Sequence, residues 1–170
     1  MNEKKCEGMM RMKLRGMWVV EHVRDGKVLG RYEFPNGIVD VGMNYLLTAG
    51  FNAGSQITTW YIGLIDSASY SALDHADTMG THSGWIECTT YTEETHPEWT
   101  CGNADARAIT NASTVDFTLN ASKTLKGVYI TSVNTKGSGS GTLWSTALFS
   151  SPIVVNNGDV LKLTYTVSGS

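Results

Sequence analysis

Val115-Asp116-Phe117-Thr118-Leu119, Leu125-Lys126-Gly127-Val128-Tyr129-Ile130 and Val160-Leu161-Lys162-Leu163-Thr164-Tyr165-Thr166-Val167 are the segments that decide the fold of this chain. In the last of them Leu161, Leu163, Tyr165 and Val167 point one way, and Lys162, Thr164 and Thr166 the other. That two-residue period is the mark of a half-buried strand. Asn157-Gly158 supplies a turn just before it. The Gly-Ser run at 137–141 is too short for a domain linker and reads as a mobile loop. Short alternating segments joined by polar turns predict a mainly β fold, an antiparallel β-sandwich with jelly-roll-like layering.

The same grammar opens the chain. Met17 to Val23 and Lys27 to Phe34 flank Asp25-Gly26, a strong hairpin signal. Val28, Gly30, Tyr32 and Phe34 share one face of the second strand, and Pro35-Asn36-Gly37 breaks it. One short helix is expected at about 41–49. Asp40 is placed to cap it, Met43, Leu46 and Leu47 form its apolar side, Gly50 stops it and Phe51 folds back on it. Gly42 weakens it by about 1 kcal/mol relative to Ala. Thr58 to Ile65 is apolar enough for a central strand, and Trp85 to Tyr91 reads as another. Residues 66–84 form a long surface loop, and 92–114 are irregular, broken at Pro97, with Trp99 and Ile109 as anchors.

The 170 residues suit one domain, read here as a β-rich body at 17–170 behind a basic arm at 1–16. Residues 1–31 hold eight Lys or Arg against four Asp or Glu. Between Arg31 and Arg107 there is no Lys or Arg, while ten Asp or Glu intervene. Two readings stand: an arm that docks on an acidic surface of a partner or a neighbouring copy, or a solvated terminus. Without a dense Lys/Arg run in an acidic chain, nucleic acid is not expected as a partner. No apolar run approaches a membrane span, and the first residues lack the apolar core of a secretory signal. The expectation is a protein made and kept in a cytoplasm, or released from one by lysis.

Little in the sequence speaks for catalysis. Cys6, Cys88 and Cys101 make no CxxC, and Cys88 and Cys101 are either a disulfide across a turn region or two separate buried thiols. Asp74, His75, Asp77, His82, Glu87, Glu93, Glu94 and His96 crowd one acidic stretch, yet neither HExxH nor a calcium-loop pattern occurs. A small metal-assisted hydrolase would need His75, His82 and His96 to converge with carboxylates. GxSxG, a Walker loop and GxGxxG are absent. The reading is a non-enzyme with no catalytic residue, metal or cofactor. Of the aromatics, Trp60, Trp85 and Trp144 sit in strand patterns and belong to a core. Tyr70 and Trp99, in irregular segments, are candidate partner contacts. Met9, Met10, Arg11 and Lys13, from the basic and Met-rich part of the arm, are the others.

Larger pieces of the chain carry a resemblance. They are RGMWVVEHVRDGKVLGRYEFPNGIVDVGMNYLL (15–47), TTWYIGLID (58–66), DTMGTHSGWIECTTYTEETHPEWT (77–100), VDFTLNASKTLKGVYITS (115–132) and GSGSGTLWSTALFSSPIVVNNGDVLKLTYTVS (137–168). In this order they resemble a family of small virion structural proteins of tailed phages and prophages, over nearly all of 11–168. The strongest are Asp77 to Trp85 and the GTLWSTALF and GDVLKLTY ending; Cys88 and Cys101 stand where other residues would be expected. The motifs are structural, so no active-site residue follows from them. What the resemblance implies is a β-sandwich on the phage particle. The leading expectation is a capsid decoration, or cement, protein on the outer head surface. It would self-associate as a dimer or trimer and bridge subunits of the major capsid protein. The alternative is a tail-fibre or baseplate-associated protein that contacts the host surface.

Overall fold

Ten strands and one helix follow from these patterns in a computed structural model that describes residues 13–170. In chain order they are β1 (Leu14–Arg24), β2 (Lys27–Pro35), β3 (Gly37–Ile38), α1 (Asp40–Phe51), β4 (Tyr61–Asp66) and β5 (Glu87–Cys88). After them come β6 (Ala108–Thr110), β7 (Val115–Thr118), β8 (Lys123–Thr131), β9 (Leu143–Val155) and β10 (Val160–Gly169). All ladders between these strands are antiparallel. One five-stranded sheet runs β2-β1-β10, with β6 and β7 sharing the other side of β10; the second runs β3-β9-β8-β4-β5. The fold is sandwich-like and mainly β, as expected.

The core between the sheets comes from alternation. Trp18, Val20, Leu161, Leu163 and Tyr165 of the first sheet meet Ile62, Leu64, Val128 and Ile130 of the second, all fully buried. Phe34 of β2 and Phe149 of β9 close edge-to-face at 5.2 Å between ring centroids. A smaller cluster covers the outer face of the second sheet, where Ile65, Tyr129 and Leu143 pack with Val39, Met79 and Trp85. The long loop expected at 66–84 starts after Asp66, the last residue of β4, and is a lid over that face, anchored by Met79, with Tyr70 and Leu73 partly buried against the cluster. Tyr129 can lie flat there because of Gly63, where a Cβ would stand 2.2 Å from the ring.

The Asp25-Gly26 hairpin forms with both residues at positive φ, 49° and 73°, the twist that matches the strands. Other local expectations change. The helix is longer than 41–49, its N-cap is Val39, and no side chain caps it. Asp40 lies inside the first turn and faces His75 Nδ1 at 2.9 Å instead. Gly50 is not left-handed; the chain turns later, at Asn52, and Ala53 takes φ 50°. Phe51, expected to fold back, is 84% exposed. Gly42 is the helix's buried residue: a Cβ there would come within 2.4 Å of the Trp144 carbonyl oxygen, so glycine permits the helix to lie on β9.

Two strands escape the sequence pattern. β9, at 13 residues the longest, buries Ser145 and Thr146 and is interrupted where β8 steps from Leu125 to Gly127 opposite Ile153 and Leu148. Polar core residues and the bulge around Pro152 hide its two-residue period. β6 has only three residues. Conversely, only Glu87 and Cys88 of the expected 85–91 strand enter a ladder; Tyr91 makes one isolated bridge to Leu119, and Trp85 is held by side-chain packing. The first sheet starts at Leu14, ahead of the boundary at 17, and Lys13 and Ser170 exchange backbone hydrogen bonds at 2.7 and 3.0 Å.

Candidate docking surface

At the end of the sandwich where β1 begins, the two sheets do not close on each other. Leu14, Ile109 and Val167 on one side face Tyr45, Leu46, Trp60 and Trp144 on the other, with Ile57, Trp99 and Cys101 between. They line an apolar cleft of about 410 Å³. Its walls are tied to the core: Trp144 Nε1 donates to Tyr165 Oη at 3.0 Å, Trp99 Nε1 donates to Asn111 Oδ1 at 2.7 Å, and Trp60 packs between Tyr45 and Trp144. Asn111 in turn accepts the Tyr165 N–H and donates to the Leu163 carbonyl, which binds the 99–111 excursion to β10.

The expected contacts are scattered. Trp99 is not a surface anchor: it is 8% exposed, edge-on to Tyr165 at 5.0 Å, and only its position on the cleft wall leaves it within reach of a partner. The irregular backbone around it hid a core residue, because burial here comes from side-chain packing without a ladder. Tyr70 belongs to the other cluster, half-buried, with Lys126 Nζ 5.0 Å above its ring. Lys13 is exposed at the rim beside Leu14. Met9, Met10 and Arg11 lie outside the described residues. The cleft as such was not legible in the sequence; Ile57 and Ile109, lone apolar residues in polar stretches, are its faint signal.

The groups that could have carried chemistry hold the fold together. His96, 1% exposed, donates from Nδ1 to the Val133 carbonyl, while Nε2 meets Glu87 Oε1 at 2.5 Å and Tyr129 Oη at 3.1 Å. Glu87 Oε2 accepts the N–H of left-handed Gly137 at 2.6 Å. This chain fixes the Gly-Ser loop onto the sheet. Burial, with Glu87 nearby, pushes the Tyr129 phenol well above its ordinary range. His82 stacks on Trp85 at 3.9 Å, and Trp85 Nε1 donates to Asp77 Oδ2. His75, His82 and His96 thus have separate partners, and no group of three or more His, Cys, Asp or Glu suited to a metal ion occurs among the described residues. Cys88 and Cys101 are free thiols, both pushed up by burial, and Cys88 is the more deeply buried. No described helix is long and apolar enough to cross a membrane.

At the opposite end of β1, Asp159 is 1% exposed yet charged. Arg24 grips it with Nε at 2.6 Å and a second guanidinium nitrogen at 2.8 Å. His22 Nε2 lies at 2.7 Å and the Asn156 N–H donates at 2.8 Å. Above all the guanidinium, then the Asn156 N–H and His22, hold the carboxyl well below the usual carboxylate range against the opposing effect of burial.

No protein-family model matches this chain, and no curated protein matches it.

Proposed function

We propose that this chain is a structural protein of a tailed-phage virion, a decoration protein that binds the outer shell of the head and stabilises it. The observation that carries the reading is the apolar cleft at the end of the sandwich where β1 begins, with Lys13 exposed beside it. An apolar groove open at the end of the sandwich, without a convergent set of catalytic groups among the described residues, suits binding to a large protein surface better than turning over a small substrate. His75, His82, His96, Asp77, Glu87 and Glu93 support it as well, since each is engaged with a neighbouring loop or strand. The resemblance of residues 11–168 to small virion proteins supplies the context.

A pressurised shell gains from any domain that buries surface across the seams between capsid subunits. A stable contact of this kind needs on the order of 1,000 Å² or more, within reach of a body this size plus an arm. Bound copies then favour the assembled shell by mass action.

Cryo-electron microscopy of the native particle tests this. The expected result is density for the sandwich at icosahedral positions on the head, with the cleft end turned towards a capsomer seam. Density confined to the tail tip or baseplate overturns it in favour of host contact.

A further inference from the structure

We propose that the cleft receives an acidic and apolar segment of a partner protein, in which a large apolar side chain is flanked by Asp or Glu; this rests on the cleft being the docking surface and adds the chemistry of what docks. The lining calls for the apolar side chain. Trp60 and Trp144 meet at 6.0 Å between centroids, and Leu46, Ile57 and Ile109 complete an aromatic and aliphatic surface. A cleft of about 410 Å³ suits the anchor side chains of a docking segment.

The rim calls for the carboxylates. Lys13 and Arg15 flank Leu14, which lines the cleft, and both are exposed. Leu14 pairs with Gly169, whose N–H donates to the Arg107 carbonyl at 2.9 Å, so the turn that carries Arg107 lies beside the same rim. Arg107 is exposed too, and none of the three cations joins an ion pair among the described residues. Ala106 and Arg107 both take left-handed backbone, with φ 46° and 65°, while Asp105 and Ala108 exchange backbone hydrogen bonds across them at 2.9 and 2.8 Å. Such turns favour Asn and Gly; here a closed turn holds an arginine in a costly conformation at the rim. The acids of the same excursion face their own loops. Glu98 Oε1 accepts from the Thr100 hydroxyl at 3.3 Å, and Asp105 Oδ1 accepts the Ala106 N–H at 2.8 Å. Burial and then Glu98 raise the Cys101 thiol, which puts Glu98 on the Cys101 side of the cleft. The partner's carboxylates therefore belong on the β1 side, where the unpaired cations are.

Selection from a random peptide library on the immobilised full-length protein, followed by calorimetry with the enriched peptide, tests this. The expected peptide carries a large apolar residue beside Asp or Glu, and its affinity falls at least ~10-fold between low salt and about 0.5 M salt. Arg107→Glu, Lys13→Glu with Arg15→Glu, and Ile57→Asp should each weaken it at least ~10-fold, whereas Lys27→Glu at the far hairpin should not. Thermal melts matching the parent show that the variants fold. No enrichment, enrichment of basic or uncharged peptides, or binding that the rim and cleft substitutions leave unchanged overturns the proposal. Tighter binding to phosphatidylglycerol vesicles than to the peptide, lost in Ile57→Asp, overturns it in favour of a membrane. A concentration-dependent dimer that Ile57→Asp dissolves overturns it in favour of a second copy. A peptide that meets every expectation while the particle shows density only at the tail upholds the chemistry of the cleft and sinks the head reading alone.

Discussion

Tyr91 has a buried hydroxyl that no hydrogen-bond partner among the described residues reaches, although its ring packs edge-on against Phe117 at 4.9 Å and under Lys136 Nζ at 3.8 Å. An unpaired buried hydroxyl costs free energy that its removal returns. Tyr91→Phe should therefore stabilise the protein by about 1 kcal/mol, read as a higher denaturant midpoint at unchanged slope. Asp159 is the opposite case, fully engaged by Arg24, His22 and Asn156. Its folded pKa is depressed, so its contribution is complete above the unfolded carboxylate value of about 4 and is lost as pH falls from there towards the folded value. Asp159→Asn should destabilise the protein at pH 7 and flatten the loss of stability between about pH 4 and pH 2, in thermal melts across that range.

Two glycines of α1 show what an element takes from its surroundings. Gly42 touches β9, and a Cβ would meet backbone at 2.4 Å, which cannot give way as a flexible side-chain tip would. Gly42→Ala should cost about 2 kcal/mol or more despite alanine's better helix propensity. At Gly50 nothing among the described residues would lie within 4 Å of a Cβ and φ is not positive, so Gly50→Ala should gain roughly 0.5–1 kcal/mol. Thermal unfolding of the two variants should move in opposite directions; movement in the same direction would mean that propensity, not packing on β9, governs the helix. The same contrast explains the helix ends. Asp40 matched the chemistry of a cap, but His75 from the lid loop offered its carboxylate another partner. The helix then ran on past Gly50.

At the scale of the whole molecule the sandwich depends on contacts between distant parts of the chain. β1 pairs with β10 from Leu14–Gly169 to Val23–Val160, so the first sheet cannot close until the last strand is in place. Phe149 reaches across to Phe34 from the edge of the β9 bulge and is 4% exposed. Phe149→Ala should cost about 3–5 kcal/mol, because the sheets cannot collapse into the gap while their ladders hold them apart. Equilibrium unfolding followed by tryptophan fluorescence would show it. A cost below about 1 kcal/mol would mean that the two sheets are not joined through this pair.

The strand class, the Asp25-Gly26 hairpin, the faces of β10 and the long loop after β4 are legible in the residues, since each depends on near neighbours: a two-residue period, a turn pair, or a run without period. The rest came from contacts between distant parts of the chain. β9 became a strand although Ser145 and Thr146 break its apolar pattern, because β8 and β3 supply its ladder partners. Trp99 became a core residue because Asn111 and Tyr165 meet it from later in the chain. The cleft exists because helix, sheet ends and the 99–111 excursion come together at one end of the sandwich. Burial and convergence are set by distant contacts, and no local pattern of residues encodes them.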